Sequence, residues 1–209
     1  GSMSGFDSIE ECFEELSPHI FAIETGLSSD PAMNWRLSKL DKISLISNSD
    51  SHSLPKIGRE ANVFDCELSF GSIINAIKSR DPKKFLSTIE FFPEEGKYHY
   101  DGHRLCNISM SPEETKKNNG ICPVCHKKMT IGVMNRIDKL ADRVSGEDGK
   151  NRVPFHNLIP LNEIIADSFG IGVASKKVKE EYQKLIGKID NEFKILLDTS
   201  ESELKAATL

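Results

Sequence analysis

The sequence contains no apolar run of about eighteen residues, the length a helix needs to cross a bilayer, and its first residues, GSMSG, lack the basic and apolar regions of a signal peptide. Nothing therefore points to a membrane or to secretion, and a cytoplasmic protein is expected. There is no internal repeat and no low-complexity tract. Gly170-Ile-Gly-Val-Ala-Ser-Lys-Lys places glycines before a helix start and two lysines, but it lacks the G-K-[ST] ending of a phosphate loop, so nucleotide binding is not expected. An overall basic charge is missing too. The formal net charge is −5, which argues against a generally basic nucleic-acid binder.

The charge is unevenly spread. From Lys97 to Arg143 nine Lys or Arg stand against five Asp or Glu. This stretch reads either as a solvated surface or as a phosphate-facing lobe. It also carries His103 and Cys106 as H-x-x-C, then Cys122 and Cys125 as C-x-x-C. Two such pairs on tight turns supply the four sulfur and nitrogen donors that Zn²⁺ takes in a tetrahedron. Four protein ligands leave no open position, so a structural zinc is expected. His99 and His126 lie near enough in sequence to compete with His103. Pro123 suits the second turn by fixing φ, and Gly120 before it is expected to allow a close approach. A Cys122–Cys125 disulfide is the competing reading, disfavoured in a chain without secretion signals. Cys12 and Cys66 are left as buried thiols of a reducing compartment.

The length and the 38% hydrophobic content suit one or two compact cores. Apolar residues at Phe6, Ile9, Cys12, Phe13 and Leu16 predict an amphipathic helix with one buried face, ended by Pro18. HIFAIETG reads as a strand buried on both faces. Trp35–Leu40 reads as helical, ISLISNSDSH as a second strand, and Phe70–Lys78 as a helix. Both strands finish in polar clusters, as α/β barrels do at their chemical edge, so Glu24, Asp50 and His52 are expected to converge. Asp50 and His52 at D-x-H spacing suit a divalent metal, against the alternative of an Asp turn beside a surface histidine.

Phe85–Phe92 predicts a strand. Ser111-Pro112-Glu113-Glu114 spells a capping box with proline at the first helical position. Met129–Val133 could be a strand, and Met134–Arg143 a helix with Ile137, Leu140 and Ala141 inward. A polar, glycine-rich linker follows from Val144 to Arg152. Helices are then expected from Pro160, from Ser175 (with Val178, Tyr182, Leu185 and Ile186 on one face), and again at the end of the chain.

Taken together, PHIFAIETGLSSDPAMNWRLS, ISNSDSHS, IGREANVFD, TIEFFPEEGKYHYDGHRLC, CPVC and TIGVMNRIDKLADR resemble the endonuclease Q family, from about Phe6 to about Leu197. The resemblance implies an α/β fold, part of a PHP-type (polymerase and histidinol phosphatase) β/α barrel, with a small zinc-binding lobe and a helical C-terminal segment. Boundaries of 1–92, 93–145 and 146–209 follow for the three parts. It implies a DNA repair endonuclease that nicks 5′ of deaminated bases such as uracil and hypoxanthine, or of abasic sites. Glu24, Asp50 and His52 match metal ligands of the PHP site, which would take Mn²⁺, Mg²⁺ or Zn²⁺ and generate hydroxide near neutral pH.

A PHP site also draws on an H-x-H pair, and none occurs in this sequence. Gly1-Ser2-Met3 reads as an expression scar, so the chain is expected to be a fragment of the longer enzyme and inactive alone. Damaged DNA is the expected partner, alongside a replication or repair protein. Tyr98 and Tyr100 would meet bases or else pack on the zinc knuckles, and Arg104, Lys127 and Lys128 would meet phosphates. Two other functions compete: a non-catalytic zinc-containing DNA-binding module, and a PHP phosphoesterase acting on a small phosphorylated metabolite.

Overall fold

The structure, a computed structural model, describes residues 5–144 and 152–208. Most of the predicted linker lies outside the described residues. The chain divides into two compact units, Gly1–Asn157 and Leu158–Leu209. The fold is mixed α/β with an all-helical C-terminal unit.

In the first unit, β1 (Ala22–Glu24) and β2 (Ser44–Ile46) pair in parallel. β3 (Ala61–Phe64) runs antiparallel to the six-residue β4 (Phe85–Glu90), which takes β7 (Phe155–Asn157) in parallel on its other side. Parallel pairing of β1 with β2 and of β4 with β7 requires crossover connections. Between β1 and β2 the crossover carries the short helix α2 (Pro31–Asn34), started by Asp30, whose side chain accepts the Met33 N–H at 2.8 Å. Helix α3 (Phe70–Ser79) follows β3, capped by Ser69 and closed by left-handed Arg80. It docks on β2 through the Ser44 hydroxyl, which donates to the Ile77 carbonyl at 2.5 Å. Phe85 and Ile89 of β4 are fully or almost fully buried, and Phe64 stacks on Phe85 at 4.6 Å. Together they form the core of this unit's central sheet.

The strand ends interlock through side chains. Asn62 of β3 accepts the Ser47 N–H at 2.9 Å and donates to the Ser47 carbonyl at 2.7 Å, imitating a strand neighbour beyond the end of β2. The Ser47 hydroxyl donates to the Ile89 carbonyl at 2.6 Å. All of these contacts lie at the carboxyl end of the parallel strands.

Between β4 and β7 the chain builds a small lobe. A hairpin of β5 (Asp101–His103) and β6 (Ile108–Met110) is followed by α4 (Pro112–Lys117) and α5 (Val133–Leu140). Helix α4 starts with the full capping box foreseen in the sequence: Ser111 Oγ accepts the Glu114 N–H and Glu114 accepts the Ser111 N–H at 2.8 Å. Met129–Val133 does not form a strand; Thr130 makes one isolated bridge to Gly102, and α5 begins at Val133.

Two N-terminal expectations fail. The predicted helix is only α1 (Ile9–Phe13), capped by Ser8, after which Glu14–His19 tightens into a 3-10 helix that contains Pro18 instead of ending before it. Its apolar face is not buried: Phe6 and Leu16 are 55% and 57% exposed, and Cys12 is exposed as well. Periodicity specifies an amphipathic face but not what covers it. Cys66 is only partly buried, and β1 is partly exposed where burial on both faces was expected.

The second unit packs α6 (Leu161–Phe169), α7 (Lys176–Lys188), α8 (Glu192–Leu197) and α9 (Glu201–Thr208) around Leu161, Ile165, Val178, Leu185 and Ile195. Gly170 terminates α6 in the left-handed conformation and Ser175 caps α7. Glu192 ties three helices, accepting the Leu161 N–H at 2.7 Å and the Tyr182 hydroxyl at 2.9 Å. Burial and that carboxylate push the Tyr182 phenol up to about 12.

Candidate metal centre and polar strand edge

The lobe brings His103, Cys106, Cys122 and Cys125 together, one donor atom from each, all within 4.8 Å of one another. His103 ends β5, and Cys106 follows on a 3-10 turn (Arg104–Cys106) closed by left-handed Asn107. The second pair sits on a tight turn closed by the Ile121–Lys128 bridge and by the Cys122 N–H, which donates to the Lys127 carbonyl at 2.8 Å. Tetrahedral Zn–S bonds of ~2.3 Å require sulfurs about 3.8 Å apart, so this donor set fits one metal ion. His103 Nδ1 lies 3.3 Å from Cys125 Sγ and is the ring nitrogen that faces the thiols.

Three thiols this close cannot all ionise without a cation. Burial and the neighbouring thiols push Cys106 up to about 11. Burial acts against ionisation of Cys122 too, but the N–H groups of Cys125 and Val124 outweigh it and lower its pKa.

The two competing histidines lie elsewhere. His99 is 1% exposed, with Nδ1 3.2 Å from the Ser28 carbonyl and Nε2 unpartnered. His126 is exposed in a left-handed turn just past Cys125. Gly120 serves the turn through its φ of +70°, after left-handed Asn119, and not through close approach, since a Cβ there would meet nothing within 4 Å.

Close approach is needed at Gly102 instead, where a Cβ would come within 2.7 Å of the Ile108 carbonyl, and at Gly132, where it would strike the Tyr100 carbonyl. Beside Gly132 lies Asp101, only 1% exposed. It accepts the Gly132 N–H and the Asn135 side-chain amide, both at 2.6 Å, and so holds the amino end of α5. Its isolated position in the sequence gives no sign of this role.

Around the lobe, Tyr98 is 58% exposed, and Arg104, Lys127 and Lys128 are exposed. Tyr100, 39% exposed, also meets the His99 ring edge-on at 4.4 Å. Tyr98, Tyr100, His103 and Arg104 line one open groove of about 730 Å³.

At the carboxyl edge of the strands, Glu24 ends β1 and is exposed, while Asp50 and His52 follow β2. Asp50 adopts a left-handed φ of 44°, uncommon for a residue with a side chain. His52 Nδ1 lies 2.8 Å from the Asp50 carbonyl. A carbonyl only accepts, so Nδ1 carries the proton and Nε2 keeps its lone pair for a ligand, the arrangement usual for metal-binding imidazoles. Glu24, Asp50 and His52 are not drawn into a three-donor group; among the described residues, the one such group is the His/Cys cluster.

Behind them lie two buried carboxylates that the sequence does not signal. Glu90 is fully buried and satisfied by the hydroxyls of Thr25 at 2.8 Å and Thr88 at 2.6 Å. Burial nonetheless raises its pKa, against those hydroxyls. Glu60 is 3% exposed, and neither of its oxygens closes a hydrogen bond. Burial first, then the charge of Glu90, push it up to about 7.

Known proteins share this architecture. The chain superposes on the lesion-specific endonuclease PfuEndoQ of Pyrococcus furiosus with a TM-score of 0.86 and 30% identity, over 97% of its own length and 50% of that chain. It is similar to endonuclease Q. A second endonuclease Q structure, a complex with a 27-mer duplex substrate carrying an abasic lesion at the active site, gives 0.85 and 30%, covering 97% of this chain and 51% of that one. The uncharacterized protein MJ0043 of Methanocaldococcus jannaschii is 32% identical over 207 residues, which are 95% of this chain and 26% of the relative. Residues 160–208 match the family described as the MJ0043 C-terminal domain. The chain thus spans about half of each endonuclease Q structure and about a quarter of that relative. No helix among the described residues is long and apolar enough to cross a membrane.

Proposed function

We propose that the chain is the zinc-lobe-bearing portion of a metal-dependent DNA repair endonuclease of the endonuclease Q type, nicking 5′ of deaminated bases or abasic sites. The observation that carries this reading is the 0.86 TM-score at 30% identity to a lesion-specific endonuclease. Residues 1–92 would then be the later part of a PHP-type barrel, 93–145 the zinc lobe and 146–209 the helical segment. Free cysteines suit a reducing, cytoplasmic setting.

Each site takes a part of the work. The His103, Cys106, Cys122 and Cys125 donors would hold a structural zinc, which fixes the turns carrying Arg104, Lys127 and Lys128 against DNA phosphates. Tyr98 and Tyr100 offer ring faces beside that groove to an unstacked base, and a damaged pair resists unstacking least. At the strand edge, Glu24, Asp50 and His52 Nε2 would hold Mn²⁺ or Mg²⁺. Such an ion supplies hydroxide and neutralises charge on the phosphate. His52, with Nδ1 bonded to the Asp50 carbonyl, leaves Nε2 for a cation at this edge.

A sequence without H-x-H favours a subordinate reading for the chain alone, in which it binds damaged DNA without cutting it. The deciding experiment is incision of a uracil-containing or abasic duplex by the full-length protein with Mn²⁺ or Mg²⁺. A nick 5′ of the lesion is expected. No nick by a protein carrying an intact H-x-H overturns the proposal.

A further inference from the structure

At the end of β2 opposite Asp50 and His52 lies a cavity of about 210 Å³, lined in part by Trp35, Asp41, Arg80 and Arg152. Asp41 stands just ahead of β2 and Arg152 just ahead of β7, so the cavity is separate from the polar strand edge. The hydroxyls that line it are already committed. Thr88, 1% exposed, donates to Glu90 at 2.6 Å, and Ser44, 2% exposed, donates to the Ile77 carbonyl. What the cavity offers a ligand is therefore guanidinium.

Three arginines gather around one aspartate. Arg143 takes both carboxylate oxygens of Asp41, at 2.6 and 2.5 Å, and holds that carboxyl below the usual carboxylate range. Arg80, at the close of α3, donates to the Asp41 backbone carbonyl, and the Arg152 guanidinium lies 4.6 Å over the Trp35 ring. Asp142, the other acid acting on Asp41, does not line the cavity and accepts the Ser38 N–H and hydroxyl. Arg143 thus cancels the charge of Asp41, and the lining keeps the positive charges of Arg80 and Arg152. Like charges sharing one cavity repel, and an anion between them relieves the repulsion.

We infer that this cavity binds a phosphate dianion, free or as the monoester at a nucleic-acid strand end, held by Arg80 and Arg152. Guanidinium forks match phosphate oxygens in pairs, and two of them match a dianion in charge. The Trp35 ring beneath Arg152 steadies the plane of that guanidinium. The volume selects a small ligand: about 150 Å³ already holds benzene, while pockets for drug-sized ligands begin at roughly 300 Å³.

Trp35 is the single tryptophan of the chain, so its emission reports on the cavity directly. Sodium phosphate at constant ionic strength should shift that emission saturably, and sodium chloride should not. Isothermal titration calorimetry reads the affinity independently of the ring. Arg80→Gln and Arg152→Gln, checked for folding by circular dichroism, should each weaken binding about 10- to 100-fold. Arg80 also bonds the Asp41 backbone, so Arg80→Lys is the second variant: it keeps the charge, loses the fork and should still bind more weakly. If inorganic phosphate gives no response, a 5′-phosphorylated oligonucleotide that binds more tightly than its unphosphorylated twin, with the difference lost in Arg152→Gln, supports the strand-end form. No saturable response to either probe, or variants that bind as the unaltered chain does, overturns the assignment.

Discussion

Asp101 Oδ1 accepts the amide N–H of Gly132 at 2.6 Å, joining the first strand of the lobe's hairpin to the start of α5 across 31 positions of sequence. Because Asp101 is buried and also holds Asn135, replacing it with Ala leaves two donors unsatisfied. Asp101→Ala should cost about 2–3 kcal/mol of stability, read as a lowered urea midpoint. Gly132→Ala, which drives a Cβ into the Tyr100 carbonyl, should also destabilise.

The Glu60 carboxyl, held at about 7 in the fold, predicts a pH dependence. A raised folded-state value means the native chain binds more protons than the unfolded one, so this contribution is full below the ordinary glutamate range and is lost as pH rises through 7. Over that window the group should remove about 3 kcal/mol of stability. Urea unfolding at pH 5 and pH 8 without added divalent cation should show the loss, and Glu60→Gln should flatten it.

Metal removal separates the cysteines. The purified chain should carry about one zinc, and Cys122→Ser should abolish it and unfold the lobe. Cys12→Ser, at an exposed thiol remote from the cluster in sequence, should leave the zinc content unchanged.

DNA binding should respond to charge and to ring faces differently. Replacing Lys127 and Lys128 together with Ala should weaken binding to all duplexes alike and reduce the log–log salt slope by about 2. Tyr98→Ala should cost about 1–3 kcal/mol on lesion-containing DNA, with little change in the salt slope. Fluorescence anisotropy across a salt series reads both.

What was legible in the sequence is what depends on near neighbours. Ser111 and Glu114 announce their capping box because both partners sit within one turn, and His103, Cys106, Cys122 and Cys125 show their donor chemistry by spacing. The apolar positions of Phe6, Phe13 and Leu16 have the right period, yet period does not say whether anything covers them. Asp101, Glu60 and Glu90 carry no local pattern at all: their meaning comes from Gly132, from the facing of Glu60 and Glu90 across β3 and β4, and from Thr25, which only the folded chain brings near. His52 is intermediate, its D-x-H spacing visible but its ring orientation set by a bond to the Asp50 backbone.

Helix α5 is fastened at both ends. Asp101 grips its start, and just past its end Asp142 accepts the Ser38 N–H at 2.8 Å while Arg143 pairs with Asp41 at 2.6 Å. It therefore behaves as a tie rod: a load applied to the hairpin at Asp101 is carried along the rod into residues 38–41, immediately ahead of β2. Traction on the lobe would then be felt at the strand that leads to Asp50.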